Sequence, residues 1–354
     1  MNTFRITLIC KGFLLFNTIT LDAQGVGDAL AYEGTLAVYD DLFELEEPLS
    51  LTLVSDFRTL RKTRSKDIYI PAQMTCHLTD SVQVSHPVRL KARGIYRKEN
   101  CSTPPLWLNI RYSGIETDEL SLVRRMKMVI CCRSGEHYSD YLLREYLVYK
   151  IYNLVTPHSY RVRLIHLKMV DTGRDNRESH GWAFLVEPDE MLASRLGALE
   201  TKNDQLSMRT VNPGAMDRLA MFQYMIGNPD YSVTGRHNLR IFDMQTSDPS
   251  GYIPIPYDFD FTGFVNAHYA TPNENLEIHS VRERYFVGPC RDKPGYEAAI
   301  GALETVRDEI EATIWAFDYL DEENRFDMIG FIESFFNTAR NERFIDREIS
   351  RTCR

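Results

Sequence analysis

Apolar and polar residues alternate with a period of two between about residues 49 and 110. The apolar positions of this stretch include Leu49, Leu51, Leu53, Val88, Leu90, Leu106 and Leu108. Successive side chains of a β-strand point to opposite faces of its sheet, so this alternation predicts strands with one buried face. Gly94 and Pro104-Pro105 interrupt the pattern and predict turns. We therefore expect an antiparallel sheet in the first half of the chain.

The pattern changes from strand to helix near Ser139. Leu143, Leu147 and Ile151 recur at helical spacing behind that serine, which suits the cap of a helix. Further elements are predicted as strands over 161–170 and 181–186, a helix over 216–226, and charged helices from Tyr296 onward. The order of these elements predicts an α+β protein, with a β-rich N-terminal lobe over residues 24–186 and a mainly helical C-terminal lobe over residues 187–354.

The first 23 residues have the features of a signal peptide. Arg5 and Lys11 precede an apolar run from Gly12 to Leu21, and Ala23 offers a cleavage site. A buried N-terminal element is the alternative interpretation. No other apolar run reaches the roughly 18 residues that a membrane-spanning helix needs. We expect an exported protein, periplasmic or at the cell surface, with no transmembrane segment in the mature chain.

Charge and cysteine content narrow the choice of partners and compartment. The formal net charge is −9, and the basic residues are scattered. A general nucleic-acid-binding protein needs a clustered positive surface, so no nucleic-acid partner is expected. An even set of cysteines in an exported chain predicts disulfides. The pairings that we expect are Cys101 with Cys131 or Cys132, and Cys290 with Cys353.

Two basic residues and one glutamate could serve a bound nucleotide. Phosphoryl transfer needs a cation on the phosphates and an acid that holds this cation. Lys127 lies on a predicted strand, and Glu145 lies on the following helix, close enough for the two side chains to pair. An exposed lysine and an ordinary surface ion pair are the alternative. Arg93 lies beside Gly94 in a basic stretch that could fold over phosphates, although a β-hairpin explains the stretch equally well.

The other parts of a phosphotransferase are a carboxylate that orients the acceptor and oxygen ligands for a metal ion. Asp230 follows Asn228-Pro229 in a turn after the helix over 216–226, and it could simply close that turn. Asn238 precedes an apolar strand and could supply a neutral oxygen, unless it is only a loop residue. Asp258 or Asp260 could supply a charged one. Apolar neighbours make a carboxylate at position 258 costly without a cation or several donors.

These residues belong to a series of short motifs in a fixed order. The motifs are Arg93-Gly94, Met126-Lys127-Met128-Val129, Leu142-Leu143-Arg144-Glu145-Tyr146-Leu147, Ser159-Tyr160-Arg161-Val162-Arg163, Ile226-Gly227-Asn228-Pro229-Asp230, His237-Asn238, Pro256-Tyr257-Asp258-Phe259-Asp260 and Ser280-Val281-Arg282-Glu283-Arg284. In this order, from about Leu49 to the end, the chain resembles the spore coat protein H (CotH) kinase-like family, in an exported branch associated with Bacteroidetes.

The resemblance implies an atypical protein-kinase-like bilobal fold, with Asp230 as the catalytic aspartate and Asn238 and Asp258 as metal ligands. It also implies an exported Ser/Thr kinase that uses ATP with Mg²⁺ or Mn²⁺ on secreted or surface proteins. The phosphate-binding lysine is then Lys127 or Lys91, unless the chain lacks one.

Two other functions fit the same residues. A catalytically inactive kinase-fold module for binding or surface assembly would keep the fold without the chemistry. A metal-dependent nucleotide-sugar transferase would use Asp258-Phe259-Asp260 as its metal motif, and it predicts alternating parallel strands and helices.

Overall fold

The structure is a computed structural model that describes residues 42–78, 83–110, 125–246 and 251–354. The predicted signal peptide, residues 1–23, lies outside the described residues. The strands are β1 (Leu49–Ser55), β2 (Ile70–His77), β3 (Gln83–Ala92), β4 (Leu106–Asn109), β5 (Met126–Ile130), β6 (Val162–Asp171), β7 (Arg177–Val186), β8 (Leu199–Glu200), β9 (Leu239–Asp243) and β10 (Tyr252–Pro256). The α-helices are α1 (Phe57–Lys62), α2 (Tyr96–Asn100), α3 (Glu136–Val155), α4 (Asp189–Leu196), α5 (Pro213–Met225), α6 (Lys293–Thr305), α7 (Arg307–Trp315) and α8 (Glu322–Ala339).

Seven strands close into a barrel in the order β1-β2-β3-β4-β5-β7-β6. The closing contact is a parallel pair, in which Leu49 of β1 lies opposite Ile165 of β6 and Ser55 lies opposite Asp171. The neighbouring pairs around the barrel are antiparallel. Each of the seven strands thus has a neighbour on both sides, although β5 meets β7 only from Ala183 to Val186.

The prediction of a bilobal, kinase-like fold is wrong, because the N-terminal sheet of the protein is a closed barrel. The C-terminal part is also not purely helical, since β10, β9 and β8 form a separate three-stranded sheet within it. The barrel closes because β6 is long. It pairs with β7 along its whole length, and on its other side it pairs with β1 from Ile165 to Asp171. Alternation within a strand predicts which face is buried but not which distant strand it meets.

The barrel interior is filled by the apolar face of each strand. Leu53, Leu90, Leu108 and Met128 are fully buried there. Helix α1 packs against the same core through Phe57. The predicted alternation is thus the alternation between barrel interior and exterior.

The exterior of β5 and β7 forms a second core with α3. Val129 and Phe184 lie on that face and pack with Leu147 and with residues of the C-terminal helices such as Ile314 and Phe336. This shared core joins the barrel to the C-terminal helices. The division of the chain into lobes at residue 186 stays a prediction.

Two disulfide bonds link Cys101 to Cys132 and Cys290 to Cys353. The expected pairing of Cys290 with Cys353 is confirmed, and Cys132 rather than Cys131 is the partner of Cys101. An oxidising compartment maintains bonds of this kind. Among the described residues, no helix has both the length and the apolar character that crossing a membrane requires.

Candidate functional site

The loop that carries Asp230 begins at the end of α5. Gly227 turns the chain with a left-handed φ of +67°, and a Cβ there would approach Val281 and Gly263 closely. The buried Asn228 then donates its Nδ2 to Gln223 Oε1 (3.0 Å) and accepts the backbone N–H of Asp230 on its Oδ1 (3.0 Å). These bonds fix the backbone of Asp230, whose side chain stays 43% exposed.

Two neighbours hold the carboxylate of Asp230. Its Oδ1 lies 3.0 Å from His237 Nε2. Its Oδ2 accepts from Asn238 Nδ2 at 3.1 Å, and the same nitrogen donates to the Asp230 carbonyl at 2.9 Å. The Asp230 side chain is therefore oriented and still reachable from solvent, as an acceptor-orienting carboxylate must be.

Asn238 immediately precedes β9, and Asp258 lies two residues after the end of the adjacent strand β10. The backbone N–H of Tyr257 donates to the carbonyl of Asn238 at 2.9 Å, so β9 and β10 bring the two residues side by side. Both have left-handed backbones, with φ of 53° and 68°, and the Tyr149 hydroxyl accepts the N–H of Asp258. Such conformations are unfavourable for residues other than glycine and cluster at functional sites.

A group of buried acids lies beside Asp258. The neighbouring Asp258 acts electrostatically on Asp260, and Arg97 Nη1 lies 3.6 Å from Asp260 Oδ2. The same Arg97 nitrogen donates to Glu145 Oε2 at 2.9 Å. Glu145 and Asp260 are only 1% and 5% exposed, so both depend on this single guanidinium for charge balance.

One cation does not fully balance this group of acids. Burial raises the pKa of Glu145 to about 7 against the opposing effect of Arg97. Burial and the neighbouring Asp258 raise the pKa of Asp260 well above its usual range. Glu145 Oε1 is buried and has no hydrogen-bond partner among the described residues. An unpartnered oxygen in an acidic group of this kind is suited to receive a cation.

We expect the free energy of unfolding to fall as pH rises from about 4.5 to 7, measured with a chelator present. An unfolded glutamate loses its proton near pH 4.5, whereas folded Glu145 keeps it to about pH 7. The folded state therefore binds more protons in this window and loses stability as pH rises. Glu145→Gln should flatten the slope by up to about 1.4 kcal/mol per pH unit, which denaturant unfolding at pH 5, 6 and 7 would measure.

Glu274→Gln is the matched control, because Glu274 is exposed. This variant should retain the full slope. If Glu145→Gln also retained the full pH slope, the result would show that Arg97 keeps Glu145 ionised between pH 4.5 and 7.

The predicted contact between Lys127 and Glu145 is not formed. Lys127 is buried, and its Nζ lies 3.1 Å from Asp189 Oδ1 at the start of α4. Burial lowers the pKa of Lys127, and Asp189 opposes that effect. Glu145 instead forms an ion pair with Arg97, which lies on α2. Lys91, the other candidate lysine, pairs with Asp67.

Aromatic rings and further cations surround Lys127. Its Nζ lies 4.5 Å from the ring centre of Tyr257, and Arg93 lies over the ring of Trp107 at 5.4 Å. Arg240 donates to the Tyr257 hydroxyl. Trp107, Lys127 and Asp189 line a cavity of about 230 Å³. Tyr257, whose ring contacts Lys127, immediately precedes Asp258, so the cationic group and the acidic group are neighbours.

The oxygen donors of this site fit a hard divalent cation that arrives with a nucleotide. Across the part of the chain that the structure describes, no three His, Cys, Asp or Glu side chains are arranged to hold a metal ion. Asp258, Asp260 and Asn238 offer two carboxylates and an amide oxygen. Mg²⁺ is usually held by one or two carboxylates together with substrate phosphates and water, and Mn²⁺ accepts the same ligands.

Sequence reasoning missed two residues of the site, Arg97 and Asp189. Arg97 lies within the basic stretch that begins at Arg93, so its charge was visible but its partner was not. Asp189 follows Pro188 at the start of a helix, a position where an acidic residue is common for local reasons. Comparison with known proteins finds no family model that matches the chain and no curated protein similar to it.

Proposed function

We propose that the protein is an exported phosphotransferase that uses ATP with Mg²⁺ or Mn²⁺ and acts on Ser or Thr hydroxyls of secreted or surface proteins. The observation that carries this proposal is the position of Asp230. Its accessible carboxylate is bound to Asn238, and the backbone of Asn238 is bonded to Tyr257, the residue before Asp258. An acceptor-orienting carboxylate next to a set of oxygen ligands is the arrangement that phosphoryl transfer needs.

Each group has a role that follows from its chemistry. Asp230 receives the proton of the attacking hydroxyl, because it is oriented and open to solvent. Asn238, Asp258 and Asp260 supply the oxygens that hold the cation, which neutralises phosphate charge when it is bound. Lys127 and Arg93 provide positive charge for the phosphates, and Trp107 offers an aromatic face beside them.

Two further observations support the proposal. The resemblance to the CotH family rests on motifs that contain Asp230, Asn238 and Asp258 in the family's order. Export is supported by the apolar N-terminal run and by the two disulfide bonds.

The first test is calorimetric titration of ATP into the protein with Mn²⁺, with Mg²⁺ and with a chelator. We expect binding that depends on the metal, because burial raises the pKa of Asp260 and a bound cation would stabilise the ionised carboxylate. Asp258→Ala should weaken metal-dependent binding at least tenfold, as loss of a metal ligand or of its supporting group commonly does.

Asp243→Ala is the matched control, since Asp243 lies at the far end of β9 from Asn238. Its ATP affinity should stay within twofold of the unchanged protein. Binding that is equally strong with the chelator, or absent in the unchanged protein, would contradict the proposed metal-dependent chemistry.

A non-catalytic binding or surface-assembly module is the second candidate. The observation that favours it is that Lys127 and Glu145 are each engaged by another residue, Asp189 and Arg97. A lysine that is held by a carboxylate has less freedom to contact a phosphate. Nucleotide binding that survives Asp258→Ala, with no phosphate transfer, would favour this candidate.

A further inference from the structure

One end of the barrel interior is polar. The interior-facing positions of β7, read backwards from its end, are Leu185, Ala183, Gly181, Ser179 and Arg177. The first two are buried in the barrel core and the last three are exposed. The apolar filling therefore stops about half-way along β7, and the barrel opens to solvent at the end where β7 begins and β6 finishes.

The open end holds a cavity of about 460 Å³. Its apolar floor is formed by Phe57, Ile130, Leu167 and Met169. This volume falls within the range of about 300–1,000 Å³ that is typical of small-molecule sites, and barrel mouths are a common place for them. The cavity lies away from Lys127, which pairs with Val186 at the opposite end of β7.

Arginines from four different segments surround this cavity. They are Arg61, Arg64, Arg133, Arg174 and Arg177. They come from α1, the turn that follows it, the segment after β5, and the β6–β7 hairpin, in which Arg174 lies in the connection and Arg177 begins β7. Such convergence is notable in a chain whose formal net charge is −9, because it concentrates positive potential in one concave place.

One carboxylate lines the described cavity, and its hydrogen-bonding capacity is already used. Asp171 binds Arg61 Nη2 at 2.6 Å through Oδ2. Its Oδ1 accepts the backbone N–H groups of Arg58 and Gly173, each at 3.2 Å. Asp171 thus balances the charge of Arg61, holds the rim together and forms a longer ion pair with Arg174, but one carboxylate does not offset the charge of five arginines.

Two of the remaining arginines have neutral hydrogen-bond partners in the described part of the chain. Arg64 donates to the carbonyl of Cys101, and Arg133 donates to the carbonyl of Asn100. Arg174 lies 3.9 Å from Asp171, beyond hydrogen-bonding distance. The structure shows no ion pair for the exposed Arg177 within its described residues. A carbonyl satisfies a donor but does not neutralise a charge, so the cavity keeps its positive potential.

We propose that the open end of the barrel binds an organic phosphate monoester with an apolar body. Guanidinium groups that approach from several directions suit a phosphate, which accepts more hydrogen bonds than a carboxylate. The apolar floor of the cavity would take the body of the ligand, and removal of that surface from water would add to the affinity. This site is separate from the proposed nucleotide and metal site and does not depend on it.

The test is calorimetric titration of hexyl phosphate, inorganic phosphate and hexanoate into the full chain, with a chelator present and at low salt. Hexyl phosphate should bind at least tenfold more tightly than either of the others, because it alone has both the phosphate and the apolar body. Arg64→Gln and Arg177→Gln should each weaken its binding by about tenfold, the usual effect of losing one hydrogen bond to a charged group.

Ser179→Glu gives an independent measurement on a variant that should fold well. Ser179 is an exposed, interior-facing residue of the same cavity. A glutamate there would be attracted by the arginines and would occupy the place of the ligand, so binding should fall more than tenfold without loss of thermal stability. Arg209→Gln, at an exposed arginine outside the cavity, should leave binding unchanged.

Arg93→Gln separates this site from the proposed nucleotide site. It should leave the affinity for hexyl phosphate unchanged, and so should Asp258→Ala. The proposal is overturned if hexyl phosphate does not bind, if Ser179→Glu binds as tightly as the unchanged chain, or if Arg93→Gln abolishes binding. Equal binding of hexanoate would overturn the assignment of a phosphate.

Discussion

Replacing Asp230 with asparagine should lower the rate of phosphate transfer by about a thousandfold while the affinity for ATP and Mn²⁺ stays within about threefold. A positioned base contributes roughly 10²–10⁴-fold to such a reaction, and asparagine keeps the shape of the side chain but cannot accept the proton. Binding should survive because Asp230 is held by His237 and Asn238 rather than placed among the buried acids. The measurement is transfer of labelled phosphate to a Ser/Thr-containing acceptor, together with calorimetry of ATP.

The contrast between rate and binding is what makes this experiment decisive. Asp346→Asn, at an exposed aspartate near the C-terminus, should change neither quantity. If Asp230→Asn transferred phosphate at the original rate, Asp230 would be a turn residue and another group would be the base. If it lost ATP binding as well, Asp230 would belong to the metal site.

Replacing Arg97 with methionine should reduce the free energy of unfolding by about 3–5 kcal/mol, the usual effect of removing one partner from a buried ion pair. Arg97 is 8% exposed and is bound to Glu145 and, more distantly, to Asp260. Without it, two buried carboxyl groups lose their nearest cation. Arg97 Nη2 also donates to the carbonyl of Ile130 at 3.1 Å, so the variant would leave that oxygen without its partner.

A double-mutant cycle with Glu145→Gln separates the ion pair from other effects of the substitution. The pair Arg97→Met and Glu145→Gln should be more stable than Arg97→Met alone at pH 7, because no charge then remains at position 145. The control is Lys98→Met, next to Arg97 on α2, which should change stability by less than about 1 kcal/mol. A loss in Arg97→Met as small as in this control would show that water or relaxation compensates the buried acids.

Much of the local structure was predictable because burial imposes a period on the sequence. The alternation at Leu49, Leu51 and Leu53 correctly placed these residues in one core. Closure of the barrel was not predictable, because it depends on the pairing of β1 with β6. These strands are more than one hundred residues apart, and no local signal specifies which distant edge a strand meets.

The candidate site also has features that the sequence predicts and features that it does not. Asp230, Asn238 and Asp258 are brought together by two short segments and one strand pair, so their order along the chain was informative. The partner of Lys127 was not predictable. Asp189 lies just after β7, and it is near Lys127 only because β7 pairs with β5 in the barrel. Which carboxylate pairs with Lys127 depends on the three-dimensional arrangement of the charged side chains. The sequence shows only that each of these residues has a charge.

The closed barrel also decides how a protein acceptor can dock. A partner that adds its own strand needs an unpaired edge. Among the described strands, β10 and β8 lie at the edges of the small sheet, and in the barrel β7 pairs with β5 only from Ala183 to Val186, which leaves residues 177–182 unpaired on that side. β8 has two residues, and β10 contains Pro254 and Pro256, which lack the N–H that a new ladder would require. Among the described strands, a polypeptide could therefore add a strand more readily to the unpaired part of a barrel strand, such as residues 177–182 of β7, than to the small sheet.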